Sequence, residues 1–184
     1  KINSNYNKLE NKRVSKMKEK RQYILIIVLI LAVLLIDQTI KYILIANENI
    51  QVSNNAIKVH YEKSEEQCLK NTEVVTKVLT DLLIIVILTR FLIRQMPNMN
   101  VATRISLAFI LGGASSNLID KIVQKKVINY INISSIISEF PSFNIANIFI
   151  GIGFVIFVII VGIDLIKLKP RKEMANFEKR DTCK

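Results

Sequence analysis

The stretch Tyr23–Ala46 reads YILIIVLILAVLLIDQTIKYILIA. It opens with fourteen residues that carry no strongly polar group, meets Asp37 and Lys41, and then turns apolar again. A helix needs about 20 mainly apolar residues to cross a bilayer, and this stretch is long enough. A surface helix of a soluble domain would confine its apolar residues to one stripe, whereas here they run all round the helix. Three further stretches have the same character. They are about Val74–Ile93, interrupted by Lys77, Asp81 and Arg90; about Val101–Ile119, with Arg104 near its start; and about Ile145–Ile163, whose strongly polar residue is Asn147. The expected fold is an all-α integral membrane protein, a four-transmembrane-helix bundle. A basic tail covers 1–22, the membrane domain covers 23–168, and a second basic tail covers 169–184.

The bulk composition fits this reading. Of 184 residues, 51% are hydrophobic and 22% charged, which excludes a purely disordered chain. Two cysteines exclude a small disulfide scaffold. The formal charge of +11 sits in blocks: residues 1–22 hold eight basic and two acidic residues, and residues 167–184 hold seven and three. Arg90, Arg94 and Arg104 flank the linker between the second and third stretches. Under the positive-inside rule this alternation places both termini in the cytoplasm. Nucleic acid is not an expected partner, because no basic run is interleaved with aromatics and the chain has no Trp. The long polar lead before Tyr23 is unlike a cleaved signal peptide.

The two external connections are then 47–73 and 120–144. In the first, IQV and AIKVHY alternate weakly; in the second, VINYINI at Val127–Ile133 alternates better. Together they suggest a small extracytoplasmic β element. Pro97, Pro141 and Pro170 fall in connections, where they break no helix. Gly112-Gly113 and Gly151-x-Gly153 suit close helix packing. Cys68 and Cys183 lie on opposite sides of the membrane, and His60 sits in a polar loop. None of them has metal-ligand spacing, so no metal or other cofactor is expected.

Ionisable groups at membrane depth are costly and suggest a function. Asp37 lies roughly 21 Å along its helix from Tyr23, in the outer half of the membrane. Lys41 is one turn further on the same face, in the favourable acid-first order. Lys77 and Asp81 share that spacing on the second helix and reach a similar depth. The third helix brings Ser115, Ser116, Asn117 and Asp120 to the external side, and the fourth brings Asn144 and Asn147. All four helices deliver polar groups to one layer. The layer reads either as a polar cavity opening laterally toward the outer leaflet or as bonds that hold a bundle together.

Four runs give the chain a family resemblance. DQTIKY at Asp37–Tyr42, GGASSNLIDK at Gly112–Lys121, VINYINI at Val127–Ile133 and FNIANIFIGIG at Phe143–Gly153 resemble the motifs of lipoprotein signal peptidase (signal peptidase II) in order and spacing. The resemblance covers about residues 22–168. It implies a multi-pass protein of the bacterial inner (cytoplasmic) membrane, and an intramembrane aspartic endopeptidase that cuts the signal peptide from diacylglyceryl-modified prolipoproteins before the lipidated cysteine. Its two catalytic aspartates lie in motifs resembling V-[VI]-D-F and F-N-[VI]-A-D. Carried over by motif, these positions are Asn129 and Asn147, and both are amides here. Asp37, Lys41, Asn117, Asp120 and Asn144 match the family, and with Lys121 they are the substrate-binding positions the resemblance implies. Lys121 stands where the family has Arg, and Asn132 where it commonly has Asp. The external motif N-x-G-A-A-F is not recognisable in Tyr61–Glu66, which reads YEKSEE. These further departures point to natural divergence rather than to engineered removal of the aspartates. Rapid deamidation is not expected, because neither Asn precedes a Gly.

Aspartyl proteolysis needs one carboxylate to take a proton from water while a protonated carboxyl polarises the scissile carbonyl. An amide donates and accepts hydrogen bonds but exchanges no proton in this range. Loss of one acid–base group typically costs about 10²–10⁴-fold, and here both are missing. The expectation is therefore a pseudoenzyme that binds a lipid-modified peptide or prolipoprotein signal helix near the outer leaflet. Its partners would be membrane lipid and a lipoprotein precursor or lipopeptide. Two other readings stay open: an active peptidase using Asp120, Asp37 or Asp81, and a structural subunit of a membrane complex.

Overall fold

Nothing in the sequence from Ile2 to Ala46 interrupts a helix, since this stretch holds neither Gly nor Pro, and α1 runs unbroken over those 45 residues. The Lys-, Arg- and Glu-rich lead is made of good helix formers and simply continues the apolar span. The computed structural model describes residues 2–47, 52–53, 58–59, 71–133, 136–137 and 140–181. His60, Cys68, Cys183 and Tyr61–Glu66 lie outside the described residues.

Two short strands, β1 (Val52–Ser53) and β2 (Lys58–Val59), follow α1. Helix α2 (Asn71–Gln95) passes into a 3₁₀ turn at Met96–Asn98, where Pro97 halts the α-helix. Helix α3 (Val101–Gln124) is capped by Asn100, whose side chain accepts from the Thr103 backbone N–H at 2.8 Å. It closes at Lys125, which adopts the left-handed conformation at φ 58°. Strand β3 (Ile131–Asn132) precedes α4 (Ile145–Asp181). The strands form one antiparallel sheet in the order β1-β2-β3, with Val52 opposite Val59 and Val59 opposite Ile131.

Three sequence expectations change. Helix α3 runs beyond Ile119 to Gln124, so Asp120 and Lys121 are helical rather than part of a connection. Helix α4 continues through Pro170 to Asp181. Proline there removes a single backbone bond, at about 3 kcal/mol, within a run of strong helix formers. The strand expected over Val127–Ile133 shrinks to Ile131–Asn132. The reason is that the Ile128 backbone N–H bonds to the Asp120 carboxylate of the bundle, and the Tyr130 backbone N–H to the Phe143 carbonyl, instead of to a neighbouring strand of the sheet.

Helix α3 is the centre of the bundle and packs against α1, α2 and α4. Its adjacent glycines make this approach close: a Cβ on Gly112 would lie 2.9 Å from Val33 Cβ of α1, and one on Gly113 would lie 2.6 Å from the Ala146 carbonyl oxygen of α4. In the Gly151-x-Gly153 pair only Gly153 packs against α3; Gly151 faces open space. Among the described residues, three stretches are long and apolar enough to cross a membrane: Lys20–Ala46, Val101–Gln124 and Ile145–Ile163. Helix α2 has the length but carries Lys77, Asp81, Arg90 and Arg94. Large apolar side chains such as Leu25, Leu35, Leu83 and Phe154 are exposed, as a lipid-facing surface requires.

The buried residues are layered. One apolar cluster gathers Ile26, Leu92, Met96, Leu107, Ala108 and Leu111. A smaller one gathers Leu44, Ile128 and Tyr130, with Val59 and Ile131 of the sheet packed on it. Asp37, Lys41, Ser116, Asp120 and Asn144 are fully buried as well, and they form a polar layer of their own.

Candidate functional site

The polar layer is an ion cluster joined to an amide cluster. The i, i+4 spacing on α1 places Lys41 Nζ 2.5 Å from Asp37 Oδ2. The same ammonium reaches Asp120 Oδ2 of α3 at 2.6 Å and Asn117 Oδ1 at 3.3 Å. Both carboxylates are otherwise saturated. Asp37 accepts from Ser116 Oγ at 2.6 Å, Tyr130 Oη at 3.1 Å and the Ala146 backbone N–H at 3.1 Å. Asp120 accepts from Gln38 Nε2 at 2.8 Å and the Ile128 backbone N–H at 3.1 Å. Buried charge is tolerable only when paired and hydrogen-bonded in this way.

Asn144 connects this cluster to the two positions of interest. As the residue before α4 it caps the helix, its Oδ1 accepting from the Asn147 backbone N–H at 2.8 Å. Its Nδ2 lies 3.0 Å from Asn117 Oδ1, 3.0 Å from the Ile128 carbonyl and 3.2 Å from Asn129 Oδ1. An amide nitrogen has two protons, so these three acceptors compete for it. Asn117 Nδ2 donates to Asn147 Oδ1 at 2.8 Å, which closes a ring through Asn117, Asn144 and Asn147. Asn144 is fully buried, whereas Asn129 and Asn147 are partly buried at the edge of the network.

Seven of the eight residues singled out from the sequence thus belong to one hydrogen-bonded network: Asp37, Lys41, Asn117, Asp120, Asn129, Asn144 and Asn147. The eighth, Lys121, pairs instead with Asp81 of α2. That pair replaces the expected Asp81–Lys77 contact, because α3 packs on α2 and presents Lys121 to it, while Lys77 points outward. Asn132 lies apart in β3, 3.4 Å from Ser142 Oγ.

Two members were not foreseen. Gln38 also bonds to Ser116 Oγ at 2.9 Å, and Tyr130 accepts from the Ile145 N–H at 3.2 Å. The signal for Gln38 was its place three residues before Lys41 in a run otherwise committed to lipid. For Tyr130 it was a phenol in a buried position, which needs a partner. Burial holds the Tyr130 phenol well above the ordinary tyrosine range, and the Asp37 and Asp120 carboxylates push the same way, against the Ile145 N–H donated to its oxygen. Among the described residues no three His, Cys, Asp or Glu side chains converge as metal ligands would.

Membrane-length helices around a buried ionic and amide layer define a polytopic membrane protein with a polar layer near helix ends. The particular family follows from the comparisons. The family model described as Signal peptidase (SPase) II matches residues 29–163. The chain belongs to that family. A lipoprotein signal peptidase of Listeria monocytogenes is 40% identical over 68 residues, which are 37% of this chain and 44% of that protein. The chain therefore spans under half the length of this relative. A lipoprotein signal peptidase of Staphylococcus haemolyticus is 25% identical over 150 residues, covering 78% of this chain and 94% of that one. The fold is shared with two solved structures of a bacterial membrane enzyme obtained by the in meso method. One has TM-score 0.65 and 21% identity, covering 76% of this chain and 88% of that one; the other has TM-score 0.64 and 22%, covering 74% and 91%. Membrane-length helices in a bacterial signal peptidase family point to a bacterial cell membrane.

Proposed function

We propose that this chain is a non-hydrolytic member of its family, which holds a lipid-modified peptide or prolipoprotein signal helix without cutting it. In this reading all four helices cross the membrane, both termini are cytoplasmic, and the amide layer lies near the outer leaflet. The single observation that carries the proposal is that the Asn129 and Asn147 side chains join one amide network through Asn144 and Asn117, at positions where the family's motifs carry two aspartates. Four amides can offer N–H and C=O groups to a peptide backbone. They cannot split a water between a base and an acid.

The carboxylates that remain nearby support the same reading. Asp37 accepts from four donors and Asp120 from three, and Asp81 is tied to Lys121. A general base needs a lone pair directed at its water, and both oxygens of Asp37 and of Asp120 already hold structural donors. Asn129 and Asn147, partly exposed members of the network, with Lys121 at the flank, are the groups nearest to a ligand.

The test uses the full chain in lipid nanodiscs with a fluorescent diacylglyceryl-modified precursor peptide. Saturable binding with the peptide mass unchanged is expected. Leucine at Asn129 or Asn147 should weaken binding about tenfold or more while the chain stays folded. Absence of binding, together with stoichiometric recovery of a membrane protein partner, would favour a structural subunit instead.

A further inference from the structure

Arg104, one of the basic residues at the linker between α2 and α3, is only 7% exposed. Its Nη1 donates to Gln22 Oε1, and its Nη2 donates to the Met99 carbonyl at 2.7 Å. Its Nε is buried with no hydrogen-bond partner, alone in that respect among the described residues. A guanidinium keeps its charge at any ordinary pH, so this is an unanswered donor on a permanent cation.

Arg104 lies at the mouth of a groove of about 390 Å³ between α1 and α3. The walls are Leu25, Val28, Leu29, Ala32, Val101 and Ile105. Leu25, Val28 and Val101 are more than half exposed, so the groove opens toward the surrounding lipid. From Gln22 to Ala32 the α1 axis rises about 15 Å. This is half of a hydrocarbon core about 30 Å thick, the depth of one leaflet. Just before Gln22, Lys20 and Arg21 are exposed and add positive charge at the same end.

We propose that this groove binds one anionic phospholipid, with an acyl chain along the apolar walls and the phosphate drawn to the Arg104 guanidinium charge at the basic end. The slot matches a chain in one leaflet, and the permanent charge of Arg104 in its lining, next to the basic helix end, selects net negative charge. The proposal rests on the membrane reading of α1 and α3, not on the peptide-binding reading of the amide layer at the other end.

The experiment is lipid titration of the purified full chain in neutral detergent, read by native mass spectrometry. Phosphatidylglycerol is compared with phosphatidylcholine of identical chains. One phosphatidylglycerol should bind, roughly fivefold to tenfold tighter, as about 1 kcal/mol per basic group near a membrane surface implies. Arg104→Gln should erase that preference. Ala32→Phe, which fills the slot and leaves Arg104 in place, should weaken both lipids. Inorganic phosphate should not compete. Equal affinity for the two lipids, a preference that survives Arg104→Gln, or normal binding by Ala32→Phe would each overturn the proposal. If Arg104→Gln does not fold, the lipid comparison and Ala32→Phe decide it.

Discussion

Replacing Lys41 with methionine keeps an unbranched side chain one atom shorter and removes the cation that joins Asp37 to Asp120. Both carboxylates are at least 98% buried, and Lys41 itself is 1% exposed, so water cannot take its place without opening the bundle. Removing one partner of a buried pair costs about 3–5 kcal/mol, because the other charge is left uncompensated. Here two carboxylates lose a contact of 2.5–2.6 Å at once. For a chain of this size the loss corresponds to a drop in Tm of about 6–20 °C. The assay is thermal unfolding in detergent, followed by circular dichroism. Adding Asp120→Asn to Lys41→Met removes one of the stranded charges and should recover at least about 1 kcal/mol, a non-additive result typical of groups in contact. If Lys41→Met unfolds within about 1 kcal/mol of the parent chain, or if the two substitutions simply add, the ionic layer does not hold α1 to α3 as described.

Three further outcomes follow from the packing. Gly113→Ala should destabilise by about 1–3 kcal/mol, since its Cβ would sit 2.6 Å from a carbonyl oxygen of α4, whereas Gly151→Ala meets nothing within 4 Å and should be neutral or stabilising in the same unfolding assay. Tyr130→Phe leaves Asp37 and the Ile145 N–H each short of a partner and should cost about 1–3 kcal/mol. Because the folded-state pKa of Tyr130 is raised, its contribution is fully present below about pH 10 and is lost as pH rises beyond that, where the unfolded chain releases a proton that the folded chain retains. Ultraviolet difference titration should show one phenol that does not ionise with the rest, and Tyr130→Phe should flatten the alkaline loss of stability.

The sequence made some of this structure legible and left the rest hidden, for identifiable reasons. The apolar runs of α1, α3 and α4 exceed what a soluble core needs, so their membrane length could be read directly. The Asp37–Lys41 pair was readable because i, i+4 neighbours share a helix face, and Gly112-Gly113 because only small residues admit a neighbouring helix. Asn129, Asn144 and Asn147 converge from a loop and a helix start, and it was their resemblance to family motifs that singled out Asn129 and Asn147. What stayed hidden depends on tertiary partners. Asp81 had an adequate partner in Lys77 on its own helix, and only the packing of α2 on α3 gives it Lys121. The ends of α3 and α4 are not visible in the apolar pattern, because polar residues mark where a helix leaves the membrane and here continue it to Gln124 and Asp181. The burial of Arg104 depends on Gln22 and Met99, which lie 82 and 5 residues away in sequence.

The central claim is that amides stand where a hydrolase of this family would exchange protons. It is tested most directly by incubating the purified full chain in lipid with a diacylglyceryl-modified prolipoprotein and following release of the signal peptide by mass spectrometry. The account predicts no release above the protein-free control. Sustained multiple turnover by the unaltered chain would contradict it.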